Sequence, residues 1–384
     1  MDELQTKLLR AMNSQGYDAI LATGAGNFTY LTQTSLPFAP SFPDQRALAV
    51  QPLSGRPAII SPSVWADAVR VQDWGGHLFE YTAGKPYLAL LSAAGEAITE
   101  LGLAQARIGF DERHTPVAIV KALRERLPQV QWQPCDGLLR DLRMVKTGAE
   151  QALLQEVVRQ SDRAIVSALN HLEGTVDAVS YSLAEVAERM RVHVGEFGGS
   201  ATGHLGIAQG ADAGHYYVPA RGQVGPGNLM RLDLTNEYRG YWSSAGRTVS
   251  VGQPTTSQER AYAESLVLKA AAIKMLRPGR TCQEVFGAVE EKAASAHIAF
   301  LAEAGAGYGI GASEREAPYL ASYDGTLLEA GMVLALDIIT YGPLQELVRS
   351  VDAFVIEEDG PRLLSWYRNW DRLYAVVGTT ARHG

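Results

Sequence analysis

The chain has 384 residues, enough for two domains, and with 46% hydrophobic and 20% charged residues it can bury a full core, which excludes a disordered or collagen-like chain. Lys and Arg number 34 against 42 Asp and Glu, a net charge of −8 with no run of like charge, so a nucleic-acid partner is not expected. Its apolar runs are strand-sized, far below the ~18 residues of a membrane span, so no membrane partner is expected either. The start Met1-Asp2-Glu3-Leu4 lacks the basic and apolar regions of a secretory signal, and Cys135 and Cys282 are too few for a disulfide framework or a thiolate metal site. A reducing, cytoplasmic location is the expectation.

The first 140 residues alternate helical and strand periodicity: a helix over 4–13, strands over 18–22, 46–51, 58–61 and 77–81, a helix over 88–100, a strand over 107–110, a helix over 116–127 and a strand over 130–134. This predicts an α/β domain over residues 1–145 with its own core. Residues 140–146 then lead through Thr147-Gly148 into a second domain, 146–384. There a long amphipathic helix over 149–171 precedes a second around 182–190. A long helix over 257–276 again precedes another, whose start Thr281-Cys282-Gln283-Glu284 fits a capping box.

Each helix pair leads through a Gly-rich stretch to a Gly and an apolar strand, Gly227-Asn228-Leu229-Met230-Arg231-Leu232-Asp233 and Gly331-Met332-Val333-Leu334-Ala335-Leu336-Asp337. In both, an Asp stands six residues after the Gly, and the offset of 104 residues reads as an internal repeat. Carboxylates set in Leu-Asp-Leu and Leu-Asp-Ile fall inside a sheet, where a charge is costly unless it is paired or ligates something. Asp233 and Asp337 are therefore candidate site residues, with a buried structural role as the alternative.

These residues resemble the creatinase, prolidase and aminopeptidase P family over nearly the whole chain. The motifs that carry the resemblance are Arg143-Met144-Val145-Lys146, Leu232-Asp233-Leu234 through Gly240-Tyr241 to Arg247-Thr248, Gly309-Ile310-Gly311 with Glu316-Ala317-Pro318, and Gly331-Met332-Val333. The resemblance implies an amino-terminal α/β domain followed by a pita-bread catalytic domain with a pseudo-twofold repeat. It implies nothing certain about chemistry, because one fold hosts many reactions.

Metallopeptidases of this family have five ligands, which the resemblance carries onto positions 233, 244, 308, 337 and 351. Here these are Asp233, Ser244, Tyr308, Asp337 (a Glu shortened by a methylene) and Val351, so three ligands are replaced. Two divalent ions a few ångström apart repel strongly and need several bridging carboxylates. Two Asp with a neutral Ser and Tyr hold at most one hard ion weakly. The expectation is no metal and no cofactor.

Creatinase is similar in fold and works without a metal, by a His acid/base and carboxylates. The resemblance assigns that His to His215, in Gly214-His215-Tyr216-Tyr217, with His204 in Gly203-His204-Leu205 as a second candidate. It places Arg315, beside Glu316, as a clamp for a substrate carboxylate, since a guanidinium fork binds carboxylate in two parallel hydrogen bonds. It also implies a homodimer in which Arg46, after Phe42-Pro43-Asp44-Gln45, reaches the partner's site. The chain departs from creatinase at Gly246, where a second catalytic acid falls, and at Asp233, where creatinase has a neutral amide. Creatine itself is therefore not the expected substrate.

Other signals are set aside. The run Gly305-Ala306-Gly307-Tyr308-Gly309-Ile310-Gly311 lacks dinucleotide-binding spacing, and no nucleophile elbow surrounds Ser243 and Ser244. The run Trp366-Tyr367-Arg368-Asn369-Trp370 is assigned to core packing. The reading is a metal-independent hydrolase cleaving a C–N bond, or alternatively a C–C bond, of a small carboxylate-bearing substrate. His215 would be the acid/base, Asp233 and Asp337 would orient water and stabilise positive charge, and Arg46, Arg315, Tyr308 and Ser244 would bind substrate. The rivals are a pita-bread binding protein without activity and a degenerate metal-dependent Xaa-Pro dipeptidase.

Overall fold

The structure is a computed structural model and describes residues 3–36, 45–82, 84–174, 181–216, 220–365 and 370–377. It divides into two compact units, Met1–Arg143 and Met144–Gly384.

The first unit runs α1 (Glu3–Ser14), β1 (Ala19–Ala22), α2 (Ala25–Thr32), β2 (Leu48–Pro52), β3 (Ala58–Pro62), α3 (Ala66–Arg70), β4 (His77–Tyr81), α4 (Pro86–Glu100), β5 (Arg107–Phe110), α5 (Val117–Arg126), β6 (Gln131–Pro134) and α6 (Asp136–Met144). Its six strands form one mixed sheet in the order β4-β3-β2-β1-β5-β6. The central strands β1, β2 and β3 are buried at every residue, as strands covered on both faces must be. In α1, Leu4, Leu8 and Met12 recur every four residues and are buried along one stripe.

Three helices are absent from the sequence reading, α2, the single-turn α3 and α6. The short α2 is held by the buried Asp111 carboxylate, which accepts from the Thr23 and Gly24 amides, Asn27 Nδ2 and the Thr115 hydroxyl, a tertiary cap invisible to local periodicity. The segment read as a linker is α6, which buries Leu138, Leu139 and Leu142. Arg46 precedes β2, its backbone N–H and C=O both bonded to the Tyr81 hydroxyl, and its side chain borders a surface crevice with Lys85, Tyr87 and Pro116. Residues Phe42, Pro43 and Asp44 lie outside the described residues.

The second unit contains α7 (Gly148–Gly174), α8 (Leu183–Glu196), β7 (Ala201–Gln209), β8 (Leu229–Tyr238), β9 (Tyr241–Val251), α9 (Thr256–Met275), α10 (Cys282–Ala296), β10 (Gly307–Gly309), β11 (Glu316–Leu320), β12 (Val333–Tyr341), β13 (Leu347–Glu357), β14 (Gly360–Leu363) and β15 (Tyr374–Val376). The main sheet order is β11-β10-β12-β13-β9-β8-β7, with β14 on β13 and β15 on β9. The internal repeat is evident in it. Helices α7 and α8 share a core with β7, β8 and β9, while α9 and α10 share one with β11, β12 and β13. The Thr281 capping box that opens α10 is formed.

Each half contributes a long antiparallel hairpin, β8–β9 and β12–β13, and the two meet where Val351 pairs with Gly246. The β8–β9 register is set by the two-residue loop Arg239-Gly240, with φ of 51° and 82°, the positive pair that a tight hairpin turn requires. That register places Asp233 opposite Gly246, as the β12–β13 register places Asp337 opposite Val351. Of the aromatic run near the carboxy terminus, residues 366–369 lie outside the described residues. Trp370 is buried in the core with α7 and α8.

Candidate functional site

The meeting of the two hairpins brings the five positions 233, 244, 308, 337 and 351 together on one face of the sheet. Ser244 and Tyr308 share a hydroxyl–hydroxyl hydrogen bond of 2.8 Å, and the Tyr308 hydroxyl donates to Asp337 Oδ2 at 3.4 Å. Val351 fills the space over Gly246, where a Cβ would lie 2.7 Å from Val351 Cγ2 and 3.3 Å from Asp233 Oδ1. All five side chains are buried.

The space between the two Asp carboxylates is taken by Arg349. Its Nε donates to Asp337 Oδ1 at 2.8 Å, its Nη2 to Asp337 Oδ2 at 2.6 Å, and its Nη1 to Asp233 Oδ1 at 2.5 Å. A second guanidinium, Arg231, donates from Nε to the other Asp233 oxygen at 2.8 Å. Its Nη atoms bond the carbonyls of Ala213, His215 and Tyr216, tying the Gly-rich loop to β8. Arg231 and Arg349 are each 3% exposed, so all three ion pairs are dry, and every oxygen of the two carboxylates has a charged partner.

Sequence reasoning missed both arginines, although a signal existed. Side chains two apart on a strand share a face. Arg231-Leu232-Asp233 therefore sets an Arg beside the acid of β8, and Arg349-Ser350-Val351 sets one on the site face of β13. The oxygens of Asp233 and Asp337, expected from the sequence to orient water, are all bonded to Arg231 and Arg349.

Electrostatics follow from this pairing. Burial by itself would raise the Asp337 carboxyl, but Arg349, with Arg315 beyond it, outweighs burial and holds it below the ordinary range. Burial, and then the Asp337 charge, push the Tyr308 and Tyr216 phenols up, so both stay protonated. The Arg349 guanidinium stands over the Tyr216 ring at 5.3 Å.

Arg315 lies at the mouth of this centre. It is exposed, stacks at 4.3 Å on the Tyr308 ring and donates from Nη2 to the Tyr216 hydroxyl at 2.6 Å. A crevice of about 340 Å³ opens beside it, bordered by Phe286, Tyr308, Tyr319 and Tyr323. Its neighbour Glu316 is turned inward to a buried pair with Lys146 at 2.9 Å.

The two candidate histidines lie in different surroundings. His215 is held to the site by its backbone carbonyl while its imidazole is exposed. His204, the second candidate, is half-buried on β7 beside Asp233: a Cβ on Gly206 would lie 2.9 Å from His204 Nε2 and 3.7 Å from Asp233 Oδ2. Burial lowers the His204 pKa, with Arg349 and Arg231 adding to that effect and Asp233 and Glu314 opposing it, so its imidazole is neutral at pH 7.

The donor set does not fit a pair of divalent ions. The carboxylate oxygens that would ligate them are bonded to guanidinium groups, the other three positions offer two hydroxyls and a methyl surface, and no cluster of three or more His, Cys, Asp or Glu able to hold a metal occurs among the described residues. Among the described residues, no helix is long and apolar enough to cross a membrane.

Comparison with known proteins agrees with the fold. The model of metallopeptidase family M24 matches residues 152–358, and that of the creatinase/prolidase N-terminal domain matches residues 5–145. An uncharacterized peptidase of Bacillus subtilis, YqhT, is 24% identical over 362 residues, spanning 94% of this chain and 96% of that protein. A Xaa-Pro dipeptidase of Pyrococcus horikoshii is 25% identical over 272 residues, spanning 70% of this chain and 74% of that protein. Among solved structures, a Xaa-Pro dipeptidase from Bacillus anthracis superposes with a TM-score of 0.79 at 21% identity, covering 97% of this chain and 99% of that one.

Proposed function

The chain belongs to metallopeptidase family M24, with a creatinase/prolidase N-terminal domain before the pita-bread domain, and we propose that it is a metal-independent, creatinase-like hydrolase. Its substrate is a small carboxylate-bearing molecule, cleaved at a C–N bond. The observation that carries the proposal is the Arg349 guanidinium seated between Asp233 and Asp337. It supplies a permanent cation at the centre of the site, with no need of an exchangeable ion.

The remaining groups suit hydrolysis. Arg315, anchored by Tyr308 and Tyr216, holds the substrate carboxylate beside the crevice. The neutral His204 takes a proton from water as the oxygen attacks the carbon and returns it to the leaving nitrogen. Asp233 and Asp337 keep Arg349 in place, and Tyr308, its hydroxyl bonded to that of Ser244, borders the crevice as a neutral group. A homodimer in which Arg46 serves the neighbouring site belongs to this proposal. Light scattering checks the mass, and a monomer at micromolar concentration removes Arg46 from the mechanism.

The test is elemental analysis after dialysis, titration with Mn, Co and Zn, and a panel of N-substituted amino acids, amidino acids and dipeptides assayed with and without chelator. Turnover indifferent to chelator is expected. One tightly held ion per chain on which turnover depends would replace this reading with a metal-dependent dipeptidase. The complete pairing of both Asp carboxylates also suits a binding protein without activity, and binding of panel members by calorimetry with no turnover of any would establish that instead.

A further inference from the structure

We propose that Glu314 is a positioning residue which, together with Thr235, locks a β-bulge at Gly203-His204 and so fixes the His204 imidazole beside Asp233. The consequence for turnover rests on the hydrolase reading; the geometry does not.

The bulge is read from the register. Thr202 pairs with Asn236 and Leu205 with Leu234, so Gly203 and His204 together face the single residue Thr235. Such a bulge takes one amide out of the ladder and re-aims the side chain it carries. The His204 N–H thus freed donates to Thr235 Oγ1 at 2.6 Å and to Glu314 Oε1 at 3.1 Å, and the Thr235 hydroxyl in turn donates to the same Glu314 oxygen. A half-buried carboxylate is spent on one strand irregularity, which the sheet itself does not need.

Two glycines make the arrangement possible. A Cβ on Gly203 would lie 2.7 Å from Thr235 Oγ1 and 2.8 Å from Glu314 Oε1, where the clamp sits. A Cβ on Gly206 would lie 2.9 Å from His204 Nε2, where the ring sits. Gly206 pairs with Asp233 across the sheet, so the ring occupies the face of the Asp233–Arg349 pair. The motif Gly203-His204-Leu205-Gly206 therefore codes a seat for an imidazole, while Leu205 and Ile207 alternate toward the hydrophobic core.

The groups facing the ring are Asp233 and Arg231 on β8, Arg349 on β13 and Glu314 on the segment before β11. Of these, Glu314 alone also holds the backbone that carries the ring. Removing its acceptor leaves the bulge amide with Thr235 Oγ1, itself no longer held by Glu314, and lets the imidazole leave the pair, a misplacement that costs catalysis far more than binding.

The experiment uses the full chain labelled with ¹⁵N-histidine. The His204 ring resonances are assigned by their loss in His204→Gln, and the panel is Glu314→Ala, Glu314→Gln, Thr235→Val and Thr235→Ser. Glu314→Ala and Thr235→Val are expected to shift and broaden the His204 resonances while the other histidines stay in place. Glu314→Gln and Thr235→Ser, which keep an acceptor and a hydroxyl, restore them. With a substrate from the panel above, kcat falls about 10–100-fold in Glu314→Ala with KM within about 3-fold. His204 resonances unmoved in both Glu314→Ala and Thr235→Val overturn the proposal. Should Glu314→Ala fail to fold, the contrast of Thr235→Val with Thr235→Ser decides. Absence of turnover in the wild-type protein removes the hydrolase reading and leaves the spectral comparison to decide the role of Glu314.

Discussion

Replacing Arg349 by Met keeps most of the bulk between β12 and β13 and removes the charge. Asp233 retains Arg231 at 2.8 Å, so the damage falls on Asp337, which is left buried with the Tyr308 hydroxyl at 3.4 Å as its remaining partner in this network. Removing one member of a buried ion pair typically costs about 3–5 kcal/mol, because the partner's desolvation is no longer offset. For a domain of this size that corresponds to a fall in Tm of roughly 10 °C.

The pH dependence carries the sign. In the wild type, Arg349 holds the Asp337 carboxyl low, so its contribution is present above the unfolded value of ~3.9 and is lost only as pH falls through the lower folded value. In Arg349→Met, burial without a cation raises Asp337, and the penalty it imposes at pH 7 is relieved as pH falls through that raised value. The two stability curves therefore converge on the acid side. Urea denaturation at pH 7 and pH 5 measures this, and Asp337→Asn added to Arg349→Met should recover at least half of the loss. A loss below about 1 kcal/mol at pH 7, or a gap that widens toward pH 5, would refute the assignment of Arg349 as the partner of both acids.

Three further outcomes are expected. Behind the site, Asp352 pairs with Lys269 at 2.5 Å and with Arg247 at 3.0 Å, and these cations outweigh burial to hold its carboxyl far below the usual range. Asp352→Asn should cost about 3 kcal/mol in urea melts at pH 7, a difference that persists to about pH 4 and shrinks only below it. Gly206→Ala should displace the His204 ring and lower kcat about tenfold with a Tm change of a few degrees, measured by ¹⁵N-histidine spectra and thermal melts. Cys135 and Cys282 are buried, with both thiols pushed up chiefly by burial, so the native protein should release no fast-phase thiol to an aromatic disulfide reagent, and both should react in guanidinium.

The fold was legible where the physics is local. The Gly-to-Asp spacing marked β8 and β12, the turn signals marked the helix pairs, and the motif order marked the pita-bread domain. Elements held by tertiary contacts were not legible: α2 depends on Asp111, just after β5 and more than eighty residues away in sequence, and β7 carries a bulge that breaks its alternation. At the site, the loss of ligands at Ser244, Tyr308 and Val351 could be read from the chain, but the gain of Arg231 and Arg349 could not be found by comparing ligand positions. Substitutions at known positions are visible one at a time, whereas a compensating cation enters from a position the old site never used. His204 was ranked below His215 for the same reason. Motif spacing favoured the loop residue, whereas the register of β7 on β8 sets the His204 imidazole beside Asp233.

The pairing of both acids with arginines also bears on the proposed substrate. Asp233 and Asp337 are matched by Arg231 and Arg349, so the centre is electrically closed, and neither acid is free to attract a cationic substrate group. The Ser244, Tyr308 and Val351 side chains add no charge. What remains toward the crevice is Arg315, a cation fixed by an aromatic stack and a phenol hydroxyl, whose proton is held more tightly still by the phenols and Asp337, which outweigh desolvation. A guanidinium held this way has lost most of its conformational freedom before any ligand arrives, so a planar carboxylate meets a prepared fork rather than a mobile side chain. In the proposed function, a centre closed by internal cations with one ordered cation at its mouth suits an anionic substrate rather than a metal ion.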